Sequence, residues 1–230
     1  MTCLVLLPGM DGTGPLFSDF VAALSEPIKP VVVAYPPQQV LDYAQLDVYV
    51  RERLPANEPF VLLGESFSGP VAISIATNPP RNLAGLILSC SFARNPHPAL
   101  AGLKPLIKLV PAIKSVTLIS PMLLGKYSTP ALRHQLNGAL SQVSSKVMQA
   151  RLRAVIDIDV TESLKQVRVP ILYLRANDDR LVPQSASALI SSIVTQTRVV
   201  SVDGPHMLLQ VAAIATASIV GDFIEHCIDQ

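Results

Sequence analysis

Ser66 stands in "LLGESFSGP", directly after the aliphatic run Phe60–Leu63 and directly before the helix-like "PVAISIA". A turn this tight between strand and helix drives its central residue toward positive φ, a strained conformation for a side chain with a Cβ. The chain can pass through it only if the residues two before and two after are small. Gly64 meets that need, and Ser68 meets it with a single hydroxymethyl followed at once by Gly69. Such a turn lifts a hydroxyl clear of the sheet, at the positive end of the next helix, where it can attack an electrophile. The amide of Phe67 then faces the space where an oxyanion would form. The competing reading is an ordinary βα turn whose serine caps a helix. The partners of Ser66 decide between them.

A nucleophilic serine needs a base within reach, and the base needs an orienting acid. In "SVDGPHMLLQ", His206 follows a strand that ends at Val202 and a turn at Asp203-Gly204-Pro205. That position hangs over the carboxyl edge of the sheet, where open α/β sheets bind ligands. The preceding strand runs into "LRANDDRLVP", which offers Asp179 as the acid just before Pro183 starts a helix, with neighbouring Asp178 as the alternative. The loop "CSFARNP" carries no carboxylate and so does not compete. A second oxyanion donor is expected after the first strand, in "LLPGMDGTGPLF". There Gly9 permits close backbone approach and the Met10 amide joins that of Phe67. The glycines of this loop match neither G-x-G-x-x-G nor a phosphate-binding loop with its Lys-Ser/Thr, so nucleotide binding is not indicated.

These residues require a scaffold that brings several strand ends together. Short aliphatic runs alternate with longer helix-like segments, the pattern of a parallel sheet with crossover helices. Strands are expected at Cys3–Leu7, Val31–Ala34, Phe60–Leu63, Gly85–Ser89, Ile171–Arg175 and Val199–Val202. Helices are expected at Leu16–Leu24, Tyr43–Leu54, Ser68–Thr77, Gln184–Ser192 and Leu208–Ile228. In the second helix Leu46, Val50 and Leu54 share one face, leaving Asp47, Arg51, Glu52 and Arg53 toward solvent. Between about 94 and 166 the rhythm breaks into helix-like pieces punctuated by Pro105, Pro111, Pro121 and Pro130. We read residues 1–93 and 167–230 as an α/β core and 94–166 as a helical cap insertion. Its apolar stretch "LKPLIKLVPAIKSVTLISPMLLG" suits either a greasy pocket wall or a helix pair packed on itself.

Composition bounds the function. The 230 residues suffice for one α/β domain, and with 50% hydrophobic and only 15% charged residues the chain is neither disordered nor lightly packed. A net charge of +1 gives no field for nucleic acid. Cys3, Cys90 and Cys227 form no Cys-x-x-Cys pair and read as reduced, mostly buried thiols. His97, His134, His206 and His226 show no metal-ligand spacing. "MTCLVLLPG" reads as a strand rather than a signal peptide, and apolar runs break before membrane-spanning length. A cytoplasmic protein without stable membrane insertion is expected.

Taken together, "LLPGMDGTG", "LLGESFSG", "LRANDDRLVP" and "DGPHMLLQ" resemble the α/β-hydrolase superfamily, over nearly the whole chain except the cap. The "LPGMDGTG" and "GES" wording is similar to small bacterial serine esterases and to the hydrolase part of plant phytyl ester synthases. The chain departs from the common pattern at Ser68, where glycine is usual, at Pro8, where a histidine is frequent, and in lacking the first two strands of the full fold. The resemblance implies an α/β-hydrolase fold with a mostly parallel sheet of about six strands. It also implies acyl chemistry through the triad Ser66, Asp179 and His206, with Met10 and Phe67 amides as oxyanion donors. A small-molecule ester is the expected substrate, and neither metal nor organic cofactor is required. An acyltransferase or a thioesterase would use the same triad, though no basic cluster is placed to greet the phosphates of a coenzyme A conjugate. A non-enzymatic binder of the same fold would need none of it.

Overall fold

The computed structural model describes residues 2–99, 102 and 116–228. Six strands form one sheet: β1 (Thr2–Leu7), β2 (Ile28–Val32), β3 (Phe60–Glu65), β4 (Leu83–Ser89), β5 (Ile171–Ala176) and β6 (Arg198–Val202). Their spatial order is β2-β1-β3-β4-β5-β6, and every pair is parallel. Successive residues of a strand point to opposite faces, and here both faces are covered. Val5, Leu7, Leu62, Leu86 and Tyr173 pack on one side with helices α2 (Tyr43–Arg51), α3 (Gly69–Thr77) and α8 (Gln184–Ile193). Leu4, Leu6, Val61, Leu63, Ile87 and Leu172 pack on the other with α1 (Ser18–Ala23), α9 (Leu208–Val211) and α10 (Ala213–Ile228). Double coverage is why these strands read as unbroken apolar runs rather than alternating ones.

Two expectations shift. The second strand begins at Ile28 and ends at Val32, earlier than Val31–Ala34. It is an edge strand, so Pro30 and the exposed Lys29 are tolerated within it and blur the apolar signal. The long last helix is two, broken between Val211 and Ala213. A third difference concerns Arg51, which does not simply face solvent. Its guanidinium bonds Asp47 and reaches the carbonyls of Ser74, Ile75 and Asn78 at the end of α3. A cation is favoured at that negative helix end.

Between β4 and β5 lie α4 (Val116–Leu123), α5 (Pro130–Gln142), α6 (Ser145–Asp157) and the short α7 (Thr161–Leu164). Pro130 starts α5, with the Thr129 hydroxyl capping it, whereas Pro121 lies inside α4. Pro105 and Pro111 fall outside the described residues. The insertion has a core of its own, in which Leu136, Leu140, Val143, Val147 and Met148 pack with Leu16 and Met207 of the sheet loops. The neck is closed by backbone bonds from Asn95 to Ile158 and from Val160 to Ala93.

Candidate active site

At the carboxyl edge, the loops after β1, β3, β5 and β6 converge. Ser66 follows β3 with φ +48, the strained conformation its turn demands. Gly64 is indispensable there: a Cβ on it would sit 2.8 Å from the Ser68 carbonyl oxygen and 2.9 Å from the Ala72 Cβ. A Cβ on Gly69 would meet the Ser91 hydroxyl at 1.7 Å, and that hydroxyl donates to the Ser66 carbonyl at 2.6 Å. Neither Ser66 nor Ser68 caps a helix through its side chain.

The structure brings Ser66, His206 and Asp179 into one hydrogen-bonded line. Ser66 Oγ lies 2.8 Å from His206 Nε2, and His206 Nδ1 lies 3.0 and 2.9 Å from the two Asp179 oxygens. A carboxylate can only accept, so Nδ1 carries the hydrogen and Nε2 accepts from the serine hydroxyl. Asp179 also accepts from the amides of Leu181 and Val182, at 2.8 and 2.9 Å. Burial alone would push this carboxyl up, but His206 and those bonds together hold it below its usual range. Its neighbour Asp178 turns outward to Tyr127 and Lys126, away from His206. Cys90, the other non-glycine residue at positive φ, lies beside Asp179; burial first, then that charge, pushes its thiol well above its usual range. All three cysteines are free.

Met10 lies opposite, in a loop held from several sides. The Ser68 hydroxyl donates to the Pro8 carbonyl and therefore accepts from Tyr35 Oη at 2.6 Å. Ser68, the departure from the usual glycine, thus ties the nucleophile turn to the loop facing it. Glu65, packed against Gly9, accepts from Gln210 Nε2 at 3.0 Å. Glu65 is fully enclosed, and burial pushes its carboxyl up to about 7. Asp11 accepts from the Thr13 amide and hydroxyl at 2.8 and 2.5 Å. From α6, Arg151 donates to the carbonyls of Met10 and Asp11 at 2.9 and 2.8 Å. Phe67, whose amide opens the one-turn helix Ser66–Ser68, has its ring stacked on Tyr43 at 4.9 Å. The first amides of any helix lack partners within it.

Sequence reasoning did not find Glu65, Arg151, Tyr35 or Gln210 as members of this site. Glu65 had one available signal, a carboxylate at the end of an otherwise apolar strand. Above the line of side chains lies a cavity of about 450 Å³. Ser66, His206, Met10, Glu65 and Gln210 form its floor, and Leu118, Ile119, Met122, Leu136, Leu140, Met148 and Leu152 of α4–α6 form its walls. Of the apolar stretch 103–125, residues 103–115 lie outside the described residues; in the remainder Leu118, Ile119 and Met122 border the cavity and Leu124 packs with Leu136 and Leu140. Among the described residues, no cluster of His, Cys, Asp or Glu has the makings of a metal site. No helix among them is long and apolar enough to cross a membrane.

Residues 31–209 match the family described as serine aminopeptidase, S33. No curated protein sequence matches the chain. Several solved structures share its fold. A lipase-esterase related protein from Clostridium acetobutylicum superposes with a TM-score of 0.81 at 17% identity, covering 96% of this chain and 94% of that one. A thermophilic esterase from Thermogutta terrifontis gives 0.82 at 18%, covering 98% and 89%. An esterase from Exiguobacterium antarcticum gives 0.81 at 16%, covering 98% and 92%.

Proposed function

Because the chain belongs to the serine aminopeptidase S33 family of α/β hydrolases, we propose that it is a serine carboxylesterase acting on small or lipophilic acyl esters, with Ser66 as nucleophile. Residues 94–166 serve as the cap over a core formed by 1–93 and 167–230. His206 Nε2 takes the Ser66 proton as Oγ adds to the ester carbonyl. The amides of Met10 and Phe67 hold the resulting oxyanion, a contribution of about 3 kcal/mol for one such donor. Collapse of the tetrahedral adduct breaks the bond to the alcohol, which leaves with the proton from His206. Water then enters, gives a proton to His206 and attacks the acyl-enzyme. Its collapse returns the proton to Ser66 and frees the acid. Asp179 holds His206 in the tautomer that each step needs.

The observation that carries this reading is the unbroken line from Ser66 Oγ to His206 to Asp179 at the floor of an apolar cavity. The two carboxyl groups bordering that cavity are already engaged, Asp11 with Thr13 and Glu65 with Gln210. Among the described residues no unbonded carboxyl group is left on its floor for a substrate ammonium, which favours a neutral ester over an amino-terminal peptide. Hydrolysis of p-nitrophenyl esters of increasing acyl length is the test. Ser66→Ala is expected to lower kcat by at least about a thousandfold, and Asp179→Asn by a comparable factor. Asp178→Asn should leave the rate near wild type. Turnover that survives in Ser66→Ala would overturn the reading.

A further inference from the structure

Among the described residues, Arg151 is the one strongly basic side chain buried at the active site, only 3% exposed, and it comes from α6 of the insertion rather than from the sheet. Its Nη1 donates to Met10 O and Asp11 O, while Nη2 lies 3.5 Å from Pro36 O. Its guanidinium carbon lies 5.6 Å from the centre of the Tyr35 ring and 6.0 Å from that of Phe67. The same cation thus bonds the Met10 carbonyl and lies near the Phe67 ring, beside both residues assigned as oxyanion donors. The loop is shaped around it: a Cβ on Gly12, at φ +70, would come within 2.4 Å of Nη1. Burying a guanidinium is expensive unless its hydrogens are taken up. Here main-chain carbonyls take them up, with no carboxylate bonded to it.

The backbone geometry gives those bonds a consequence. A trans peptide is planar, so fixing its carbonyl fixes the direction of its N–H. The peptide joining Gly9 to Met10 carries the candidate donor, and its Gly9 oxygen accepts from the Gly12 amide at 3.0 Å. The preceding peptide is held at its oxygen, Pro8 O, by the Ser68 hydroxyl. The following peptide, Met10 to Asp11, is held at its oxygen by Arg151. The donor peptide thus sits between two clamped planes, and the second clamp belongs to the cap.

We propose that Arg151 is a positioning residue for the oxyanion site, through which helix α6 of the insertion sets the direction of the Met10 amide. The inference rests on the esterase reading above. It implies that the insertion takes part in transition-state stabilisation as well as walling the substrate cavity. Electrostatic stabilisation of this kind is steeply sensitive to donor position, since donors must lie about 3 Å from the oxygen as it becomes charged.

The test compares wild type with Arg151→Met and Arg151→Lys on p-nitrophenyl butyrate. It also uses two inhibitors of equal chain length: a trifluoromethyl ketone, which adds Ser66 to give a charged tetrahedral adduct, and the plain methyl ketone, which binds without adding. For Arg151→Met we expect kcat to fall about 30- to 100-fold with KM within about threefold, less than the loss of a donor outright. Affinity for the trifluoromethyl ketone should fall by a similar factor and that for the methyl ketone hardly at all. Arg151→Lys, able to reach one carbonyl, should fall between. If Arg151→Met does not fold, Arg151→Lys decides, with at least about a fivefold matched loss in kcat and trifluoromethyl ketone affinity expected. A purely structural role would lower both ketone affinities together, or shift the melting temperature with kcat intact, and either result overturns the proposal. Trifluoromethyl ketone affinity unchanged in Ser66→Ala would instead overturn the nucleophile assignment, and this inference with it.

Discussion

Glu65 is the residue whose surroundings most constrain how the protein responds to pH. It sits one position before Ser66, fully enclosed, with its carboxyl raised by burial from 4.5 to about 7. Between those values the folded chain holds a proton that the unfolded chain has released. Stability from this group is therefore fully present below about pH 4.5 and falls as pH rises toward 7. Glu65→Gln keeps an acceptor for Gln210 Nε2 and removes the titration. The melting temperature of this variant, relative to wild type, should climb across that window and level off above it; a gap that stays constant would show that Glu65 is already ionised throughout. Asp179 works in the opposite sense, because its folded carboxyl is lowered from 3.8. Its contribution is present above that value and is lost only as pH drops through the folded one, so the two windows do not overlap.

Among the elements, the turn from β3 to α3 shows what local sequence can and cannot disclose. Its glycines and its place between an aliphatic strand and a helix were visible in "LLGESFSGP". The roles of its neighbours were not, because they depend on residues far along the chain. Ser68 meets Pro8 across 60 positions and Ser91 meets Ser66 across 25, with no local pattern to announce either. Arg151 lies in the stretch that reads only as helix-like pieces, and nothing in the local sequence singles it out. His206 and Asp179 were legible because each follows a strand and a turn in the expected order. The edge strand β2 was blurred because an edge position tolerates Pro30 and the exposed Lys29 within it. A test at this scale is Gly69→Ala, whose methyl enters the space of the Ser91 hydroxyl. It should destabilise the protein by about 1–3 kcal/mol, as overpacking does, measured by urea unfolding. Adding Ser91→Gly should restore at least part of that loss, and no recovery in the double variant would place the strain elsewhere.

At the scale of the whole molecule, the described part of the insertion is bonded to the core at several points. Met207 donates its amide to Leu123 O, Ser144 to Pro37 O, and Arg180 reaches Pro121 O. A cavity of about 450 Å³ with such fixed walls should act as a ruler for the acyl chain. Leu152→Trp, which fills part of it, should shift the preferred p-nitrophenyl ester to a shorter acyl group while acetate turnover stays within about threefold, since each unaccommodated methylene is worth 10-fold or more. An unchanged length profile would put the acyl chain elsewhere. The same topology also governs when activity begins. Ser66 and His206 are separated by 140 residues, and β3 lies in the middle of the sheet, whereas β6 is its far edge. At about 5–20 residues per second, a ribosome needs on the order of 10–30 s to make the intervening chain. On the proposed esterase reading, the serine is made throughout that interval without its base, so a growing chain would gain ester hydrolysis only once its last strand has docked.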